Sequence, residues 1–496
     1  MLEETKCTIV LYYTIHFNFS VARRCYDTII RRYSYSSSQN MPQNDFIPDK
    51  YNGPAYETIE QLKSKHMPPS IANIYKKPLL LHQGRMQWMF DHEGRRYLDL
   101  AGGIVTVSVG HCHPKLVSVL KEQAATLWHS TNIFRHPKIY EYIEKLASKF
   151  PGDLKVERQS TGSEANDLAT LLAKAYTGNN DIISLQCSYH GCSSGLMGLT
   201  ATQGYRLPVP VPSGFYHVFL PDPYKGPWIG CRDSLSQPPG ACSCPGECVS
   251  TDKYIRLLED LLNNSVPAGK VAALFAESIL GAGGVVQYPK GYIKKAHALI
   301  KKNRGLFIAD EVQTGFGRTG DHYWGFESHG IIPDIVTMAK GIGNGFPLAA
   351  VVTTKEIASK HNVGYFNTFG GNPLAAAVGK AVLDVIEEDK LQENSKEVGT
   401  YFIKQLMELQ KEHPIIGDVR GQGLMLGLEL VAPGTTQPLD VEKISNIHEM
   451  TKDLGVLIVR GGRKYNVLRL KPPMCITKDD VDFAISVLDK AFKLNK

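Results

Sequence analysis

Two residues of this chain combine the right types with the right settings to do chemistry together. Lys340 closes Pro333-Asp-Ile-Val-Thr-Met-Ala-Lys and precedes Gly-Ile-Gly; Asp310 closes Gly305-Leu-Phe-Ile-Ala-Asp. Each segment reads as a short buried strand ending in a polar residue, and strand ends are where α/β sheets place ligands. A lysine amine delivered there can condense with an aldehyde. An aspartate delivered beside it can keep a pyridine nitrogen protonated. Aldehyde and pyridine occur together in pyridoxal phosphate, whose enzymes use such a lysine and such a carboxylate. Taken singly, each residue also looks like an ordinary solvated strand end, so the pair needs support from the rest of the chain.

Some support comes from Thr161-Gly162-Ser163-Glu164, which opens a helical run. A turn of small polar residues at a helix N-terminus offers free N–H groups and the positive end of the dipole, which suits phosphate. The plainer reading is an N-cap supplied by Ser163. Ser188-Tyr189-His190 follows another strand pattern. Tyr189 can stack on a planar ring or pack the core, and of two readings for His190, a polar neighbour of a cofactor or a satisfied core histidine, the second is preferred. Gly315-Phe-Gly-Arg-Thr-Gly320 matches the dinucleotide pattern but neither follows a strand directly nor opens a clear helix, which argues against a nicotinamide enzyme.

The elements that must position these residues alternate. Strand patterns cover 181–186, 271–277, 305–310, 334–339 and 348–354, and helical periodicity covers 113–128, 139–150, 164–177 and 292–302. Such alternation predicts a mostly parallel sheet covered on both faces. A long helix over 373–387 leaves this region. A further helix over 393–411, with strands near 423–431, 456–460 and 466–470, predicts a smaller α+β domain.

Composition sets the outer limits. The chain has 496 residues, 43% hydrophobic and 21% charged, with a net charge of +6 and no long basic block, so nucleic acid is not implied. The apolar run Thr8 to Phe19 is too short to span a bilayer comfortably. Residues 1–40 carry Arg23, Arg24, Arg31 and Arg32 ahead of a serine-rich stretch and read as a mitochondrial transit peptide, although Glu3 and Glu4 are unusual there. A secretory signal and a cytosolic leader are the competing readings. Ten cysteines are present. Cys231, Cys242, Cys244 and Cys248 cluster in a Pro/Gly/Ser-rich stretch, 222–250, without the paired knuckles of common zinc sites. Zinc, a local disulfide and an inert loop all stay open there, and no metal ligand is assigned.

Taken in order, several phrases resemble the class III pyridoxal-phosphate-dependent aminotransferases. They are Tyr97-Leu-Asp-Leu-Ala-Gly-Gly, Gly110-His-Cys-His-Pro114, Thr161 to Asn166, Tyr189-His-Gly191, Ile308 to Arg318, Met338-Ala-Lys340 and Phe366-Asn-Thr-Phe-Gly-Gly-Asn-Pro373. The resemblance covers roughly residues 50–495. It implies the type I, aspartate-aminotransferase-like fold: a large, mostly parallel sheet domain over 96–387 and a small α+β domain over 388–496, with 41–95 packing on the latter. By motif, Lys340 corresponds to the lysine that condenses with the cofactor and shuttles the proton, and Asp310 to the partner of the pyridine nitrogen. Gln313 would bond the ring hydroxyl, Tyr189 would stack on the ring, and Thr161, Gly162 and Ser163 would hold the phosphate. Thr368 would reach the phosphate of a neighbouring subunit, which implies a homodimer or a dimer of dimers with shared sites.

The resemblance also implies a reaction: ping-pong transfer of an amino group from L-alanine, or a related small or β-amino acid, to glyoxylate or pyruvate in the mitochondrial matrix. Three departures stand out. Ser160 replaces a usual Asn, Leu280 replaces the Gln of the family's Glu-Pro-Ile-Gln-Gly phrase, and Ala282 replaces the glutamate that follows it in ornithine and GABA members. Without that glutamate, Arg469 is expected to be free to clamp a substrate carboxylate. The alternatives are a phospho-lyase on the same scaffold and a catalytically weakened binding protein.

Overall fold

The computed structural model describes residues 41–495 apart from 72, 132, 152–153 and 361–363, so the targeting segment expected over 1–40 lies outside the described residues. Three short strands come first: β1 (Leu81–Arg85), β2 (Trp88–Asp91) and β3 (Arg96–Asp99). The central sheet follows with β4 (Leu154–Gln159), β5 (Asp181–Leu185), β6 (Phe215–Val218), β7 (Val271–Glu277), β8 (Leu306–Asp310), β9 (Ile335–Met338) and β10 (Ala349–Thr354). Its order is β4-β10-β9-β8-β7-β5-β6. Only β10 runs against its neighbours, and the pairs β5–β6, β5–β7, β7–β8 and β8–β9 are parallel. The C-terminal ends of β4, β5, β7, β8 and β9 therefore emerge along one edge.

The central strands β5, β7 and β8 are buried along their whole length, as a parallel sheet covered on both faces requires. That is why their apolar runs were legible. Two strands of the central sheet escaped sequence reading. β4, Leu-Lys-Val-Glu-Arg-Gln, alternates half-buried and exposed positions at the sheet margin, and its charges mask the pattern. β6 is a four-residue edge strand.

The chain then builds an antiparallel sheet from β11 (Ile416–Gln422), β12 (Met425–Leu430), β14 (Val459–Gly461) and β15 (Val467–Leu470), in the order β11-β12-β15-β14. The strand expected over 456–460 is split. β13 (Val456–Leu457) instead joins β3 in parallel. Ile458 is the point of the switch, and the Tyr75 hydroxyl meets both its N–H and its C=O at 3.0 Å, satisfying the backbone where the ladder breaks. Among the helices, α1 (Gly162–Thr177) packs on β9 and β10, α2 (Thr251–Asn264) follows the cysteine-rich stretch, and α3 (Pro373–Glu388) is buried on most of its surface.

Candidate active site

Two residues, Ser160 and Thr161, separate the end of β4 from the first residue of α1. Its N-cap is Thr161, not Ser163: the Thr161 side chain accepts from Glu164 N at 3.2 Å, and the Glu164 carboxylate accepts from Thr161 N at 2.9 Å and Ser160 N at 2.8 Å. This capping box uses the donors on either side. Gly162 and Ser163, the next two residues of the first turn, line a cavity of about 350 Å³. Thr161, Tyr189, Asp310, Gln313 and Lys340 line the same cavity, as does Ser160. Seven of the nine expected site residues thus meet in one place.

Asp310 ends β8 beside Glu277, which ends β7; the two are register partners. One Asp310 oxygen lies 3.0 Å from Asn166 Nδ2 and 2.7 Å from His190 Nδ1, and the other accepts from Val312 N at 3.1 Å. A carboxylate only accepts, so His190 Nδ1 carries the proton. His190 is therefore not the satisfied core residue expected from sequence: its Nε2 is buried without a partner.

Lys340 sits just past β9 in a left-handed backbone conformation, φ 50°, which a non-glycine residue adopts at a cost. Burial lowers its pKa; Asp310 and Glu277 oppose the shift, Arg469 adds to it, and the net direction is down. Burial likewise raises Glu277, and one of its oxygens has no partner.

Gln313 accepts from Lys471 Nζ at 2.9 Å. Lysine only donates, so this contact turns the amide N–H₂ of Gln313 away from Lys471 and leaves it as a donor. Lys471 itself is buried and held well below an ordinary lysine by burial and by Arg469. Arg469 lies outside the cavity wall but close by, on β15, with its Nε buried and unpaired. A Cβ on Gly461 would meet its guanidinium at 2.6 Å and the Ala282 carbonyl at 3.1 Å, so the arginine lies beside the position where the glutamate is missing. Thr368 is exposed and absent from this cavity. Leu280 is fully buried and pairs with Val286 through backbone bonds, a packing position. Residues 311–320, with the Gly-x-Gly-x-x-Gly pattern, form turns and open no helix.

The donors and acceptors suit pyridoxal phosphate: an amine, a carboxylate in reach of a ring nitrogen, and free amides at a helix end for phosphate. The family model of class-III aminotransferases matches residues 71–492. The chain belongs to the class-III aminotransferases.

This aminotransferase is 50% identical over 471 residues to "Alanine--glyoxylate aminotransferase 2, mitochondrial" of Homo sapiens, covering 94% of this chain and 91% of that protein. Two solved structures resemble it. One is an Arthrobacter phospholyase in complex with phosphoethanolamine (TM-score 0.79, 29% identity, 88% of this chain and 99% of that one). The other is an amine transaminase from an uncultivated Pseudomonas species in its PLP-bound form (TM-score 0.76, 28% identity, 92% and 100%). Family and neighbour together imply pyridoxal phosphate as the cofactor of the aminotransferase. Among the described residues, no helix of the aminotransferase is long and apolar enough to cross a membrane.

Sequence reading missed four residues of the site: Glu277, Lys471, Asn166 and His190. Glu277 carries the same signal as Asp310, a polar residue at the end of a buried strand, and Lys471 directly follows β15.

Proposed function

We propose that this protein moves an amino group from L-alanine, or a related small or β-amino acid, to glyoxylate or pyruvate by a ping-pong cycle in the mitochondrial matrix. The observation that carries the reading is Lys340 and Asp310 lining one cavity with Gly162 and Ser163 of α1. In this reading Lys340 holds the cofactor aldehyde, Asp310 its ring nitrogen, Gln313 its hydroxyl, Tyr189 its ring face, and Thr161, Gly162 and Ser163 its phosphate. Bound pyridoxal phosphate supplies an electron-poor ring that makes the substrate α-proton acidic. Once the substrate amine has taken its place on the cofactor aldehyde, the freed Lys340 Nζ, its pKa lowered, would take that proton and hold it while the amino group changes hands. His190 and Asn166 keep the Asp310 carboxylate in place. Arg469 clamps the carboxylate of each substrate in turn; its unpaired Nε and its position beside Ala282 support that role.

The site is completed in a homodimer or dimer of dimers, with Thr368 reaching the neighbour's phosphate. Thr368 is exposed and flanked by Phe366 and Phe369, 55% and 66% exposed, a surface suited to burial against a partner. The division into domains 96–387 and 388–496, with 41–95 on the latter and 1–40 removed on import, belongs to the same reading.

Initial rates over a panel of donors and oxo acids test the proposal. Parallel double-reciprocal lines for alanine against glyoxylate are expected. Phosphate release from phosphoethanolamine without any oxo acid would favour the lyase reading, which the Arthrobacter neighbour keeps in view.

A further inference from the structure

Residues 222–250, between β6 and α2, contain no helix or strand and only one isolated bridge. A loop of this length has little core of its own, and segments of that kind need a staple to hold one conformation. Three of its four cysteines fall within 242–248 and the fourth is Cys231, and their Sγ atoms all lie within 4.8 Å of one another. Cys231 and Cys248 are buried and Cys242 and Cys244 half-buried. We infer that Cys231, Cys242, Cys244 and Cys248 bind a single structural zinc ion.

Geometry favours a metal over the other two readings left open by the sequence. Zinc–thiolate bonds of about 2.3 Å in a tetrahedron place the sulfurs about 3.8 Å apart. The Cys242 and Cys248 sulfurs stand at 3.4 Å, in that range. Two disulfides require only that sulfurs meet in pairs. A metal requires all four to face one point, and they do. An inert loop would require no convergence at all.

The surroundings are also those of a thiolate centre. Cys231 N donates to Cys248 Sγ at 3.2 Å, and the Ser250 hydroxyl lies 3.1 Å from the same sulfur. Donors aimed at sulfur stabilise its charged form and orient the ligand. A Cβ on Gly230 would come within 2.8 Å of Cys248 Sγ, so the backbone is kept bare where the cluster packs. Four soft ligands in a tetrahedron select zinc, which undergoes no redox change. Binding exchanges the thiol protons for the ion and releases them to solvent.

The ion would fix what the loop carries. Cys231 precedes Arg232, whose guanidinium forms a two-point ion pair with Asp418 on β11, both contacts at 2.8 Å. The backbones of Cys231 and Cys248 clasp Lys290, which donates to Cys231 O at 3.1 Å and accepts from Cys248 N at 3.0 Å. None of the four cysteines lines the cavity of Lys340, so the role is structural and independent of the substrate assignment.

The full chain, purified without chelator, should contain about one zinc per chain, with X-ray absorption showing sulfur neighbours at about 2.3 Å. Cys242→Ser/Cys244→Ser, which alters the half-buried ligands, should retain bound cofactor colour yet lose at least about nine-tenths of the zinc. Should this variant fail to fold, wild-type protein treated with a mercurial reagent should release its zinc as the four thiols titrate. Wild-type protein without stoichiometric zinc, zinc unchanged in the variant, nitrogen or oxygen as the main zinc neighbours, or recovery of these cysteines in disulfide-linked peptides would each overturn the assignment.

Discussion

Two buried ionic clusters touch the same short turn, residues 281–284, and they are built on opposite principles. Gly284 O accepts from Arg420 at 2.9 and 2.7 Å, while Gly281 N donates to Glu277 at 2.8 Å. On the Arg420 side five charges are tied together in ion pairs. Asp418 binds Arg232 and Arg420, and Glu429 binds Arg420 and Lys225. Burial alone would raise the Asp418 pKa, but the two arginines outweigh it and hold it below the usual value. On the Glu277 side, Lys340, Arg469 and Lys471 form no ion pair among the described residues, and burial drags all three downward in pKa. A paired cluster stabilises an interface between two parts of the fold. An unpaired one is tolerable only where ligand charges are to complete it.

The comparison can be broken at either end. Lys340→Ala should cost at least about 5 kcal/mol in the barrier to transamination, on the order of 10⁴-fold, because the covalent link and the proton shuttle share one amine. Its unfolding midpoint should stay level or rise, since an unpaired buried cation is gone. Residual turnover within about tenfold of wild type would remove Lys340 from the mechanism.

Asp418→Asn should do the reverse. Stranding Arg232, and leaving Arg420 with Glu429 as its one carboxylate partner, should cost about 3–5 kcal/mol of stability, read as a lowered denaturation midpoint, with turnover per folded molecule retained. A variant as stable as wild type would mean that the paired cluster is not structural.

Arg469→Ala should raise KM for both alanine and glyoxylate, at about 2–4 kcal/mol in transition-state binding. An amine donor lacking a carboxylate should be nearly indifferent. Equal losses for both kinds of substrate would show that the carboxylate is held elsewhere.

The smallest effect sharpens the electrostatic side. Arg469 lowers the Lys340 pKa and Asp310 raises it. Arg469→Ala should therefore move the pH profile of Lys340 labelling by an amine reagent, in cofactor-free protein, to higher pH. Asp310→Asn should move it lower, each by about one unit or less. Shifts of the same sign would show that the two groups do not share a field.

Much of this was legible because burial on both faces makes a strand readable. β7, β8 and β9 are continuous apolar runs, so the polar residue ending each run stands out, and Lys340 and Asp310 were found that way. The same rule applied to β7 would have found Glu277. The cap at Thr161 was misplaced because Thr-Gly-Ser offers two hydroxyls, and only the Glu164 side chain reaching back decides between them. His190 was read as core because its partner Asp310 lies 120 residues away.

By itself the sequence determined the order of elements, the lysine and carboxylate at their strand ends, and membership in the aminotransferase family, since these depend on local pattern and short phrases. Tertiary structure decided which polar groups meet. It set Lys471 against Gln313, laid Arg469 beside Ala282, split the 456–460 strand at Ile458, and gathered four dispersed sulfurs around one point. Those outcomes depend on contacts between residues distant in the chain, whose geometry no local pattern encodes.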